Sequence, residues 1–238
     1  MELLDQTIGS IACDIPGATR IFHQHKLDFC CGGGKSLREA AQRRGVDTAV
    51  LTAELEQLRQ SQQSGRDWRD APVPELIMHI LERFHERHRE QLPELIRLAR
   101  RVEEVHGDKP ECPLGLAALL EGVEQELESH MQKEEQILFP LLLRGYCQQS
   151  LQPILVMRHE HDQHGDNLER LAQLTNDITP PANACNTWRA LYAGLAQLRE
   201  DLMQHIHLEN NVLFPQAEEM AAGRVDDSGA AHQACACH

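Results

Sequence analysis

The chain has 238 residues, 41% of them hydrophobic, enough for one large domain or for a small domain beside a mid-sized one. Its 37 acidic residues against 23 basic give a formal charge of −14, which argues against a nucleic-acid or anionic-membrane partner. No apolar run approaches the roughly 18 residues of a membrane span, and the start Met1-Glu-Leu-Leu-Asp-Gln6 carries neither a basic nor an apolar leader, so a cytoplasmic protein is expected.

Eight cysteines fall at irregular spacing, and the neighbours Cys30 and Cys31 are awkward disulfide partners for each other. Reduced thiols fit this pattern better than a disulfide framework. Fourteen histidines against five Phe, two Trp and two Tyr is the odder count, and it points toward metal.

Residues 1–62 read as a small helical domain built around the glycine-rich turn Cys30-Cys31-Gly-Gly-Gly34. Asp14-Ile-Pro16 has the form of a helix start, and Ser36-Leu-Arg-Glu39 that of a capping box, so two or three short helices are expected to flank the turn. The polar stretch from Ser61 to Pro72 lacks apolar periodicity and reads as a linker. A second domain over 74–220 follows, then a flexible Cys/His tail over 221–238.

In the second domain, steps of four and three pick out four apolar stripes. The first runs Leu81, His85, His88, Leu92, Leu95, Ala99 and Val102. The second runs Leu116, Leu120, Val123, Leu127, His130, Glu134, Ile137 and Leu141. The third takes Ile154, Met157, His161, His164, Leu168, Leu171 and Thr175, and the fourth Trp188, Leu191, Leu195, Leu198, Leu202, His205, Glu209 and Val212. Breaks are predicted at Gly107–Pro110, Arg144-Gly145 and Asn176–Pro181, and a kink at Pro93. The expected class is all-α: a four-helix bundle preceded by a small helical domain.

Each stripe carries two histidines or a histidine and a glutamate, so eight such side chains point into one interior. Unpaired buried charges cost several kcal/mol each, and metal coordination is the usual way a bundle tolerates them. The pattern is also repeated. His130-x-x-x-Glu134 returns as His205-x-x-x-Glu209, 75 residues on, each followed by Leu-Phe-Pro and each read as closing a helix; His85-x-x-His88 returns as His161-x-x-His164, 76 residues on. A His and a Glu four apart share a helical face, so each repeat supplies a half-site. Imidazole and carboxylate without thiolate favour iron or manganese, with zinc possible, and two glutamates able to bridge suit a pair of ions. A di-iron centre is the reading adopted, with open positions for an oxo or hydroxo bridge or a small diatomic.

These residues resemble hemerythrin-like domains, and more closely the RIC (repair of iron centres) proteins of the YtfE/ScdA type. The resemblance rests on Asp28-Phe-Cys-Cys-Gly-Gly33, His85-Glu-Arg-His-Arg-Glu-Gln-Leu-Pro93, Ser129–Pro140, His159-Glu-His-Asp162 and His207–Pro215. It implies His85, His130, His161 and His205 as imidazole ligands and Glu134 and Glu209 as bridging carboxylates of two non-haem irons. His88 and His164 are left over, as unligated supporting neighbours or as direct ligands. Oxygen-carrying hemerythrins use a different spacing on the third helix and an aspartate on the fourth, which favours the repair family.

Glu126 and Glu160 flank ligand positions and either line an access route or are ordinary surface glutamates. His79, His106, His159 and His207 fall off the stripes and are expected at the surface. Cys30 and Cys31 are expected in an exposed turn whose amides lower thiol pKa, where they could relay iron or be oxidised or nitrosylated; the alternative is a structural turn with one buried thiol. Cys13, Cys112, Cys147 and Cys185 read as small apolar residues. The tail's Cys235, Cys237, His232 and His238 either bind a metal or are incidental.

What the resemblance implies is repair of iron-sulfur clusters damaged by oxidative or nitrosative stress, by iron donation rather than turnover. The implied partners are damaged iron-sulfur proteins together with nitric oxide or oxygen, with a homodimer left open. The rivals are a nitric oxide reductase at the same centre and a sensor that binds oxygen or nitric oxide without turnover.

Overall fold

The computed structural model describes residues 2–15, 17–30, 32–60 and 68–230. Among these every regular element is helical. After a 3-10 turn at Leu3–Asp5, α1 spans Ile8–Asp14, α2 Ala18–Gln24, α3 Leu37–Arg44 and α4 Thr48–Gln60. The predicted capping box is present: Ser36 Oγ accepts from the Glu39 amide, and the Glu39 carboxylate accepts from the Ser36 amide at 3.0 Å. The predicted helix start at Asp14 is not. Asp14 closes α1, and Gly17, at φ 86, precedes α2; a left-handed backbone there favours glycine over any capping side chain.

Four long helical runs follow. Val73–Ile80 (α5) passes through a π-helical turn, Leu81–His85, into Glu86–His106 (α6). Leu116–Lys133 (α7) passes through a second, Glu134–Leu138, into Phe139–Leu143 (α8). Cys147–Leu174 (α9) is regular, and Asn186–Leu208 (α10) passes through a third π turn, Glu209–Leu213, into Phe214–Ala230 (α11). Thus the His-x-x-x-Glu phrases do not close their helices, and α11 continues past the expected onset of the tail at 221; residues 231–238 lie outside the described residues. α6 runs unbroken through Pro93. The predicted breaks hold, with Gly145 at φ 71 and Asn176, Asp177 and Ile178 also at positive φ.

The third and fourth stripes are buried as expected, apart from Leu168, which is half-buried. The second departs after Glu134: Ile137 is 51% exposed, while Leu138 and Leu142 take the core positions. The cause is the π turn, in which the Phe139 amide donates to the Glu134 carbonyl five residues back. Such a turn accommodates one extra residue, so everything downstream moves one place along the core face. The first stripe slips in the same sense upstream of its π turn, where Ile80 and Phe84 are buried and Leu81 only partly.

Two apolar clusters result. One joins the N-terminal helices to the far half of the bundle, through Leu92, Leu127, Met131, Leu171, Leu202 and Ile206. The other gathers Phe84, Leu138, Ile154, Met157, Val212 and Phe214. On each helical run the polar stripe residues lie between members of the two clusters. The bundle therefore encloses one polar layer between two dry ones.

Candidate metal centre

All eight polar side chains of that layer are at most 2% exposed, and six of them converge: His85, His130, Glu134, His161, His205 and Glu209. His85 ends the first π turn, and Glu134 and Glu209 begin the other two. The six form two groups that share both glutamates, one with His85 and His205 and the other with His130 and His161, with one donor atom from each residue of a group within 4.8 Å of the others.

The carboxylates cross between the groups. Glu134 turns Oε2 toward His85 Nε2 at 3.4 Å and Oε1 toward His130 Nε2 at 3.4 Å. Glu209 turns Oε1 toward His205 Nε2 at 3.3 Å and Oε2 toward His161 Nε2 at 3.0 Å. Within each group the two Nε2 atoms lie 3.2 Å apart. Among the described residues none of the four carboxylate oxygens makes a hydrogen bond, despite these short approaches to imidazole nitrogens. A proton between two such nitrogens serves one at a time, whereas a cation accepts both lone pairs and an oxygen from each carboxylate. The donor set fits cations.

Behind the imidazoles stand partners that hold the opposite ring nitrogen. His85 Nδ1 meets Glu135 Oε1 at 2.8 Å, His130 Nδ1 meets Glu160 Oε2 at 2.9 Å and His161 Nδ1 meets Asn210 Oδ1 at 2.9 Å. These bonds place the proton on Nδ1 and leave the Nε2 lone pair facing inward. His205 Nδ1 has no hydrogen-bond partner among the described residues; its ring stacks on Phe84 at 5.4 Å instead. The field favours positive charge at His85 and His130, whereas burial outweighs it at His205. Burial depresses His130, yet Glu134, Glu160 and Glu209 outweigh it and push the imidazole up to about 10. Burial raises both glutamates, and Glu209 repels Glu134 as well, but the facing imidazoles hold both below the usual carboxylate range.

Residues 76–217 match the family described as the hemerythrin HHE cation binding domain, and residues 4–59 match ScdA_N, a domain of unknown function (DUF542). The curated iron-sulfur cluster repair protein YtfE of Yersinia pseudotuberculosis serotype O:1b is 52% identical over 217 residues, covering 91% of this chain and 98% of the relative. YtfE of Yersinia pestis strain Pestoides F matches to the same extent. The chain belongs to the YtfE family.

The remaining sites predicted for this YtfE-family chain divide. His88 and His164 are buried beside the two groups, their rings 5.4 Å from His205 and 5.0 Å from His130; among the described residues neither belongs to either group, and neither ring nitrogen of either residue has a hydrogen-bond partner. Glu160 is the partner of His130 and also binds Lys133, whereas Glu126 is exposed and accepts from Asn167 at 2.7 Å. His159 is exposed as expected, and His79 and His106 are half-buried, stacked on Trp68 and Trp188. His207 corrects the expectation. It is 5% exposed, between Phe29, Asn211 and Cys13, because the N-terminal domain covers that face of α10.

Cys30 is likewise buried rather than exposed, since Phe29 and Leu27 pack inward beside it, and its thiol donates to Asp28 Oδ1 at 3.4 Å. Cys31 and the tail cysteines lie outside the described residues. Cys112 and Cys147 are buried and Cys13 half-buried, but Cys185 is exposed, 3.2 Å from His106 Nε2. Sequence reasoning missed Glu135 and Asn210. The signal was the repeat itself, because the 75-residue offset that maps Glu134 onto Glu209 maps Glu135 onto Asn210.

Proposed function

We propose that the four imidazoles and two glutamates hold two iron ions, bridged by Glu134, Glu209 and an oxo or hydroxo group, and that the protein donates iron to iron-sulfur clusters damaged by oxidative or nitrosative stress. The observation that carries the two-ion reading is the crossing of the carboxylates, each with one oxygen toward each imidazole pair. A mixed nitrogen and oxygen donor set without thiolate suits iron. Membership in the YtfE family, whose curated relatives are named for iron-sulfur cluster repair, supports the role.

Bound there, the ions would supply a redox-active pair with positions open to oxygen or nitric oxide. The protein's part is to orient donors and exclude water. Glu135, Glu160 and Asn210 fix three imidazoles, and the apolar clusters on both sides keep the layer dry. Loss of one bridging contact weakens both positions together, which is a property useful for release.

Metal analysis of the full chain is expected to find two irons. Iron-loaded protein mixed with a cluster-damaged iron-sulfur enzyme is expected to restore its activity. Equal recovery with the Glu134→Ala, Glu209→Ala variant would overturn the proposal.

A further inference from the structure

The repeat is imperfect at one revealing position. Glu135 backs His85 with a carboxylate, while its counterpart Asn210 backs His161 with an amide. A carboxylate only accepts hydrogen bonds, whereas an amide accepts on one side and donates on the other. Asn210 uses both sides: Oδ1 accepts from His161 Nδ1 at 2.9 Å, and Nδ2 donates to the Cys30 carbonyl at 3.2 Å. The orientation is dictated by the partners, because a carbonyl oxygen cannot donate.

Asn211 reinforces the same contact, its Nδ2 lying 3.4 Å from the carbonyls of both Phe29 and Cys30. The turn can approach this closely only because it is made of glycine. A Cβ on Gly33 would stand 2.5 Å from Asn211 Oδ1 and 2.8 Å from the Phe29 carbonyl, and one on Gly9 would stand 2.5 Å from the same Oδ1. Asn210 and Asn211 both lie in the π turn Glu209–Leu213. Three successive residues of that turn thus serve the ligand group, the backing of His161 and the docked turn.

We infer that Asn210 is a positioning residue through which the docked Cys30 turn holds His161, so that the His130/His161 metal position is coupled to docking of the N-terminal domain and the His85/His205 position is not. The inference rests on the two-ion reading above. Coupling is reciprocal: an ion that fixes His161 steadies the turn, and a displaced turn loosens the ion.

The test uses the full chain with ferrous iron under anaerobic conditions, reading hydrogen exchange of the amides of residues 28–35 and chelator competition for each ion. In the wild-type chain, removing iron is expected to speed exchange of the turn by about fivefold or more, the lower end of ordinary site-to-site coupling. Asn210→Asp keeps an acceptor for His161 but cannot donate to Cys30, so both ions should remain while the turn exchanges fast and stops responding to iron. Asn210→Leu removes both bonds, and one of the two ions should weaken by about 10- to 100-fold, the scale of lost ligand backing. Gly33→Ala changes no bundle residue but pushes the turn away from Asn211, and it should weaken the same single ion.

A wild-type turn whose exchange ignores two bound irons would overturn the inference, as would an Asn210→Asp turn that still responds. A wild-type chain that takes up fewer than two ions would instead overturn the two-ion reading.

Discussion

If the π turn at Glu134–Leu138 is one residue inserted into an otherwise regular helix, removing one residue restores the helix and leaves its core face in place. Deleting Gln136, which is exposed, moves Leu138 and Leu142 to three and seven places beyond Glu134, the positions an uninterrupted stripe requires. Pro140 must change as well. It now occupies the first turn of α8, where its missing amide costs little, but in a continuous helix its ring would meet a carbonyl and cost about 3 kcal/mol. The comparison is therefore between Pro140→Ala alone and Pro140→Ala with Gln136 deleted, both metal-free, by urea denaturation.

The deletion is expected to change stability by no more than about 1.5 kcal/mol, the value of roughly one hydrogen bond gained or lost. The contrary case is well separated. If the downstream segment rotated with the deletion, Leu138, Phe139 and Leu142, none more than 6% exposed, would leave the core. At about 1.5–3 kcal/mol each that is a loss of roughly 5–9 kcal/mol, most of an ordinary domain's stability. A loss above about 4 kcal/mol refutes the insertion account. The same deletion frees the Glu134 carbonyl from its π bond and re-aims the side chain, so chelator competition should show iron held about tenfold less tightly or worse.

Three further outcomes are expected. Glu135→Gln leaves the fold intact but should weaken one ion by about 10- to 100-fold in chelator competition, since an amide backs His85 less strongly than a carboxylate. His164→Leu should keep two irons per chain and raise metal-free stability by about 1–3 kcal/mol in urea, because it removes a buried ring with two unpartnered nitrogens; loss of an ion would make His164 a ligand. Ser36→Ala should cost about 1 kcal/mol at neutral pH through the lost cap. The hydrogen bonds from Ser36 hold the Glu39 carboxyl below its ordinary value, so the box contributes above that range and its contribution fades as pH falls through the depressed value. A mutant whose deficit stays constant down to acid unfolding would contradict that.

The fold class and the eight polar residues of the layer were legible because four stripes carried the same anomaly; burial of His85, His88, His130, Glu134, His161, His164, His205 and Glu209 follows from helical period alone, whereas singling out six of them took the family resemblance. The π turns were not legible, since periodicity assumes a constant turn, and a one-residue slip leaves a stripe that is still mostly apolar: Leu138 replaced Ile137 without a change of character. Pro140 and Pro215, each soon after a glutamate, were the available hint, as both sit in the first turn of a new α segment, yet Pro93 and Pro153 lie inside regular helices and carry no such meaning. His207 and Cys30 were misplaced for a different reason. Their burial comes from one domain docking on another, a contact between residues some 180 apart in the chain that no local pattern encodes.

The two candidate half-sites repeat the same donor residues but differ in what stands behind them, and the difference has a consistent direction. His85 and His130 are backed by carboxylates, while their counterparts are backed by an amide that reaches the N-terminal domain and by a phenyl face. A carboxylate behind a ligand strengthens it permanently, whereas an amide shared with a separate domain makes the support conditional on docking. A pure storage centre gains nothing from conditional support. A donor does, because it must hold iron against water and then yield it to another protein. Domain docking is one of the few variables such a protein can change without altering its ligands.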